Sequence, residues 1–296
     1  MNTDVLEDSS WDIALQRARS ALDPNAELVR VVRSAWTGTP SLNDCSRGLR
    51  LATVPFSAVI EAAQMLEASV STIEAAISTL SFKGAATVAA INFTSSSIAR
   101  QCASPRLQDL ILQQMIDQIE VGYHFGVIAE DIGPDTGMLL GFGQALGAAL
   151  LLAASNSSPG DAKALFEGSE TPSAQLRRFG CEPYQVASLA LQRLGFGPST
   201  ASAAVMSLGN FSREVPANDP RVKTWWAASE WINALARGER TPSRRSSALQ
   251  YPDLLFDIET QTAIPLHLEA LYTSVDAVLT QHSVWTWHLA ESPHSN

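Results

Sequence analysis

Between Thr136 and Gly160 the chain carries no charged side chain, and inside that stretch Gly137–Ala154 (GMLLGFGQALGAALLLAA) is its longest apolar run. Gln144 is the one conspicuously polar residue in the run. A helix apolar on every side belongs at the centre of a large helical domain. The length would also suit a membrane span of about 20 residues. However, four glycines and Gln144 interrupt the run, Asp135 and Asp161 flank it, and no basic cluster stands beside it. The pattern predicts the buried helix of a soluble chain.

Around this run, apolar positions recur at helical spacing and nowhere alternate convincingly. Residues 11–34 predict two short helices parted by Asp23-Pro24-Asn25, followed by a loop at Thr37–Ser41. Leu49–Ala68 predicts a helix in which Pro55 marks a break or a first turn. Ser71 and Glu74 have the spacing of a capping box, ahead of a helix with Ile73, Ile77 and Leu80 on one face. Residues 83–99, small and hydroxylated, predict a separate, closely packed helix. Leu107–Ala129 is long and amphipathic, ended by Asp131–Asp135. After the central run come a loop (Ser155–Gly160), a short helix at Ala162–Gly168 and another opened by Thr171-Pro172-Ser173. Pro183–Leu194 is stopped by Gly195-Phe196-Gly197-Pro198, and Ser199–Leu208 follows. A loop at Gly209–Pro220 leads to a tryptophan-rich helix, Arg221–Ala236. The expected fold is all-α, without a repeat of fixed period.

Two faces stand out. In Arg221–Ala236, Val222, Trp225, Trp226, Ser229, Ile232 and Ala236 share one side, while Trp231 points nearly opposite. Trp231 is therefore either covered by the C-terminal segment or part of a partner surface, where tryptophan is favoured. Beyond a polar linker (Arg237–Ser247), residues 250–289 predict two or three helices. Their Leu268, Leu271, Val275, Val278 and Leu279 form a stripe too apolar for a free extension. This tail is expected to dock on the main domain through Trp231 and its neighbours.

Composition narrows the function. The net charge of −10 argues against nucleic acid and against anionic membrane surfaces. Three distant cysteines (Cys45, Cys102, Cys181) without a CxxC favour a reduced, cytoplasmic setting over a disulfide framework. The acidic N-terminus has no apolar segment of the secretory kind.

Three blocks carry a family resemblance. Val70–Phe82 (VSTIEAAISTLSF) resembles the "isSIEqAi-lLGf" signature of the HD-related output domain, the HDOD family of bacterial signalling proteins. Gly141–Leu152 (GFGQALGAALLL) is similar to the "GLLHdiGkl-L" block of related HD-superfamily proteins. Phe179–Leu208 resembles "lG-dH-evGa-La--WglP--i--ai--HH". The resemblance implies an N-terminal helical lobe packed on a degenerate HD-like bundle. It divides the chain into an extension (1–27), the HDOD-like domain (28–240) and a linker with a docked tail (241–296). It implies a non-catalytic, cytoplasmic signalling protein that binds another protein and needs no cofactor. The alternative is an HD-derived phosphohydrolase, or a nucleotide-binding sensor, with altered site residues.

The departures bear on that choice. Gln144-Ala145 stand where the metal-binding His-Asp pair falls, Glu182-Pro183 where a "dH" falls, and Leu208-Gly209 where an "HH" falls. HD-type hydrolysis needs several imidazoles and carboxylates to hold metal and activate water, and His124 is the only histidine before His267. Its neighbours Tyr123, Phe125 and Val127 predict a structural role. His282, His288 and His294 are six apart, which does not place successive residues on one helix face. No GxSxG is present, and no cysteine has a nearby histidine. Gly141–Gly147 imitates a dinucleotide fingerprint, but that motif requires a buried strand before it. Glycines on a core helix more simply allow close helix–helix approach. Arg177-Arg178 and Arg237/Arg240/Arg244/Arg245 are the only basic groups, and solvated surface or linker is their expected role, with Arg177 and Arg178 candidates for an interaction site.

Overall fold

The computed structural model describes residues 3–52, 56–155, 157–208, 220–243 and 264–289. Among these are thirteen α-helices and no strand, so the fold is all-α. The helices are α1 (Thr3–Ala21), α2 (Ala26–Thr37), α3 (Leu42–Leu51), α4 (Phe56–Leu66), α5 (Ile73–Gln101), α6 (Pro105–Ile128) and α7 (Gly133–Ala153). They continue as α8 (Pro159–Phe166), α9 (Pro172–Phe179), α10 (Pro183–Leu194), α11 (Pro198–Val205), α12 (Pro220–Ala236) and α13 (Ile264–Gln281). Pro55, Gly209, the rest of the 209–219 loop, Arg244, Arg245, residues 250–263 and His294 lie outside the described residues.

Local chemistry sets most helix starts. Asn25, Ser41, Thr72, Ser104, Ser158 and Thr171 each accept a hydrogen bond from a first-turn backbone N–H, and proline occupies the first turn of α6 through α11. The expected Ser71–Glu74 box is not formed. Thr72 caps α5 instead, and Glu74 is freed to bind Arg50 at 2.8 Å.

The central run is α7, and every side chain from Thr136 to Ala153 is buried. It is the one described helix long and apolar enough to cross a membrane, and its apolar stretch lies wholly inside the fold. Its main partner is α6. A Cβ at Gly122 would collide with the Gly137 carbonyl oxygen, one at Gly137 with that of Gly122, and one at Gly126 with that of Gly133. The two backbones therefore touch directly. On its other sides α7 meets α10, α5, α12, α11 and α1. Gly147 is closed in the same way by the Pro183 carbonyl at the start of α10.

In the N-terminal part, α2, α3 and α4 pack on α5. The two helices expected at 73–80 and 83–99 are one element with a kink. Ser81 sits at φ 66°, ψ 169°, in the left-handed region, where the HDOD signature has glycine. Its hydroxyl donates to Asp135 Oδ2 (2.5 Å) and accepts from the Gly84 N–H (3.1 Å), so it caps the second half of α5. Burial raises the Asp135 pKa, with the Ser81 hydroxyl and Lys83 pulling the other way.

The tail lies against α6 and α5. In α13, Leu271, Val275 and Val278 are buried, with Leu268 and Leu279 half-buried beside them. At its end His282 takes φ 63°, and Nδ1 donates to Asp117 Oδ2 (2.8 Å) while the Ser283 N–H donates to Oδ1 (2.7 Å). Trp285 packs edge-on against Tyr123, and Asn92 Nδ2 donates to the carbonyls of Trp287 (3.0 Å) and His288 (3.2 Å). His288 is 5% exposed. Burial drives its pKa down to about 4, against an opposing effect of the Trp285 backbone.

Two expectations follow. Gly147→Ala should cost about 3 kcal/mol, because its new methyl meets backbone that cannot turn aside. Gly143→Ala should change stability by less than about 1 kcal/mol, since its Cβ would stand 3.1 Å from the Ala204 carbonyl and helix propensity improves. Thermal melts of both variants check this. Separately, the lowered pKa of His288 means the unfolded chain gains a proton below about 6.5 that the folded chain refuses until about 4. Stability present above pH 6.5 is thus lost as pH falls toward 4, by about 3 kcal/mol. The difference in melting between wild type and His288→Phe, followed over that window, measures it.

Candidate functional site

The three positions singled out by the family resemblance come together in space. Gln144 from α7, Glu182 at the start of α10 and Leu208 in the 3-10 turn Met206–Leu208 line one cavity of about 270 Å³. Gln118 of α6, Glu170 between α8 and α9, Gln175 of α9, Ser207, Asn233 of α12 and Arg237 just after it add to its polar wall. Ala145, the other half of the altered His-Asp pair, is fully buried in the core beside it.

Each of these positions has a structural role. Gln144 Nε2 donates to the Ser229 carbonyl of α12 at 2.7 Å, bridging two buried helices. Glu182 caps α10, its own N–H donating to Gln185 Oε1 at 2.9 Å, and Gln185 in turn donates to Ser10 of α1. Leu208 offers only hydrocarbon. Tested against the metal centre of HD hydrolases, this set supplies one carboxylate and one amide, and it does not fit. Among the described residues no three His, Cys, Asp or Glu side chains stand close enough to hold a metal ion.

Four side-chain oxygens of this wall, on Gln118 (Oε1), Gln144 (Oε1), Glu170 (Oε2) and Ser207 (Oγ), are buried without a hydrogen-bond partner among the described residues. A buried acceptor left dry costs about 1–3 kcal/mol. All four residues line the cavity, so its wall carries unmet polar demand. Only Gln144 and the two positions around it were legible in the sequence. Gln118 carries only a weak signal, as one of the polar positions Gln114, Asp117 and Gln118 at i, i+3, i+4 on an amphipathic helix.

The remaining candidates separate. Trp231 is 6% exposed and stacks on Phe125 of α6 with ring centroids 6.4 Å apart. It is no partner surface, because α12 is buried on both sides rather than amphipathic. His124 is half-buried, 3.5 Å from Glu120 Oε1. His282 and His288 lie on different supports, Asp117 and Asn92. The Gly141–Gly147 motif is wholly helical. Arg177 is exposed. Arg178 is engaged, with Nη1 on Glu170 (2.9 Å) and Nη2 on Asp161 (3.0 Å) and on Ser157 Oγ (3.0 Å). Asp161 has a lowered pKa, chiefly through hydrogen bonds from Ser158. Cys45 and Cys181 are free thiols whose pKa burial pushes up to about 11, so neither is a poised nucleophile.

The fold is that of HDOD domain proteins. The chain superposes on the crystal structure of an HDOD domain protein of unknown function from Geobacter sulfurreducens, with a TM-score of 0.58 and 12% identity, over 94% of this chain and 99% of that one. It also superposes on a candidate phosphohydrolase from Shewanella amazonensis SB2B, with a TM-score of 0.57 and 14% identity, over 94% and 98%. No protein-family model and no curated protein matches the sequence.

Arg178→Ala should loosen the α8–α9 segment, costing about 1–2 kcal/mol because it strands the half-buried Glu170. Arg177→Ala should stay within about 0.5 kcal/mol. Hydrogen exchange over residues 157–179, together with melts, distinguishes the two.

Proposed function

We propose that the chain is a non-catalytic regulatory protein of bacterial signalling, acting in the cytoplasm by binding another protein. The observation that carries this reading is Gln144. At the position of a metal-binding histidine, its amide is used to join α7 to α12. With Ala145 and Leu208 beside it, the cleft has exchanged ligands for packing. A regulatory protein needs the bundle to keep its shape, and this exchange serves that end.

A second reading, hydrolase or nucleotide sensor, is favoured by the cavity that survives at the cleft and by a structural neighbour described as a candidate phosphohydrolase. Against it, Glu170 and Glu182 face the space, and carboxylates repel phosphate. The net charge of −10 adds to that repulsion.

The purified chain should not turn over phosphomonoesters, cyclic dinucleotides or alarmones with magnesium, manganese or iron present. Metal-dependent hydrolysis that scales with enzyme and is lost on Glu170→Gln or Glu182→Gln would overturn the reading. Affinity capture from the native cell should return a specific protein partner.

A further inference from the structure

We propose that the cavity between α6, α7, α8, α10 and α12 binds a small organic di- or triammonium ion. This rests on the regulatory reading, since a metal centre would claim the same space. The unmet polar demand of the wall is one-sided. Gln144 Oε1, Gln118 Oε1 and Glu170 Oε2 can only accept, and all three are buried without partners among the described residues. Gln144 is 5% exposed, and its amide orientation is fixed because Nε2 is committed to Ser229. Gln118 and Glu170 are half-buried, so their ends can turn to meet a ligand.

Several of the nearby donors are already engaged, although Tyr184, Ser207 and Asn233 also line the space. Arg237 holds Glu239 at 3.0 and 3.2 Å, Gln175 Nε2 donates to the Glu170 carbonyl at 3.3 Å, and Arg178 is divided between Glu170 and Asp161. Two carboxylates, Glu170 and Glu182, face the space. An occupant that satisfies this wall brings hydrogen-bond donors and positive charge. A short apolar body suits Ala148, Leu165, Phe166 and Leu208, which belong to the apolar part of the wall. Ammonium groups carried on a short methylene chain meet both demands. The volume of about 270 Å³, just below the usual range of small-molecule sites, restricts the ligand to diamine or triamine size.

The test uses the full chain, titrated with putrescine and with spermidine at physiological salt and followed by melting and calorimetry. The expected result is a saturable, single-site rise in melting temperature with one or both amines. Affinity should fall about tenfold in Glu170→Gln and in Gln118→Leu, which lie on different elements and guard against a folding defect in either. Butanediol and ammonium chloride at equal concentration should have no effect. Absence of saturable binding up to about 10 mM would overturn the proposal and leave the cavity to water. Binding that neither substitution weakens would overturn it too, placing the amine on the acidic surface. Failure here without metal-dependent turnover removes this proposal alone, whereas such turnover removes the regulatory reading whatever the amines do.

Discussion

The direct contact of the α6 and α7 backbones is the constraint on which the rest of the structure depends. Gly122 and Gly126 on one helix face Gly133 and Gly137 on the other, with carbonyl oxygens where side chains would otherwise stand. Removing side chains from this seam brings two apolar helices closer than larger residues permit. The close pairing lets α7 meet α5, α10, α11 and α12 on its remaining sides. A helix so surrounded has no polar face to spare, which is why its sequence is apolar all round. The polar residue in its middle, Gln144, is accommodated by giving its amide to a backbone carbonyl of α12.

That logic explains what was legible in the sequence. The central run, the Pro183–Leu194 helix and the all-α class follow from local pattern and from proline and glycine at the ends. Gln144, Glu182 and Leu208 were marked out by the second and third matched blocks, but that they line one cavity is seen only in the packing. The rest depends on long-range packing. Trp231 was misjudged because helical periodicity separates faces but does not say that α6 closes over the second one. The kink at Ser81 is not advertised by serine itself, and only the glycine of the HDOD signature at this position hints at a left-handed backbone. Here Asp135, fifty-four residues on, supplies the hydrogen bond that holds it. The box at Ser71–Glu74 shifted by one residue for a similar reason, since Thr72 caps equally well and Glu74 has Arg50 to bind.

Three positions far apart in sequence serve the bundle around this cleft: Gln144 as an inter-helix strut, Glu182 as a helix cap and Leu208 as hydrocarbon wall. Between them a hollow remains. Its polar lining persists on Gln118, Glu170 and Ser207, residues that no comparison of metal ligands would bring into view.

The seam and the tail also differ in when they can form. The α6–α7 hairpin joins neighbours in sequence across a short turn, so its closure is entropically cheap. Asn92, by contrast, binds the carbonyls of Trp287 and His288, nearly two hundred residues away. During synthesis from the N-terminus, the bundle has all of its own helices before the residues that cover α5 leave the ribosome. Asn92 and Tyr123 therefore meet Trp285, Trp287 and His288 only after the seam has closed.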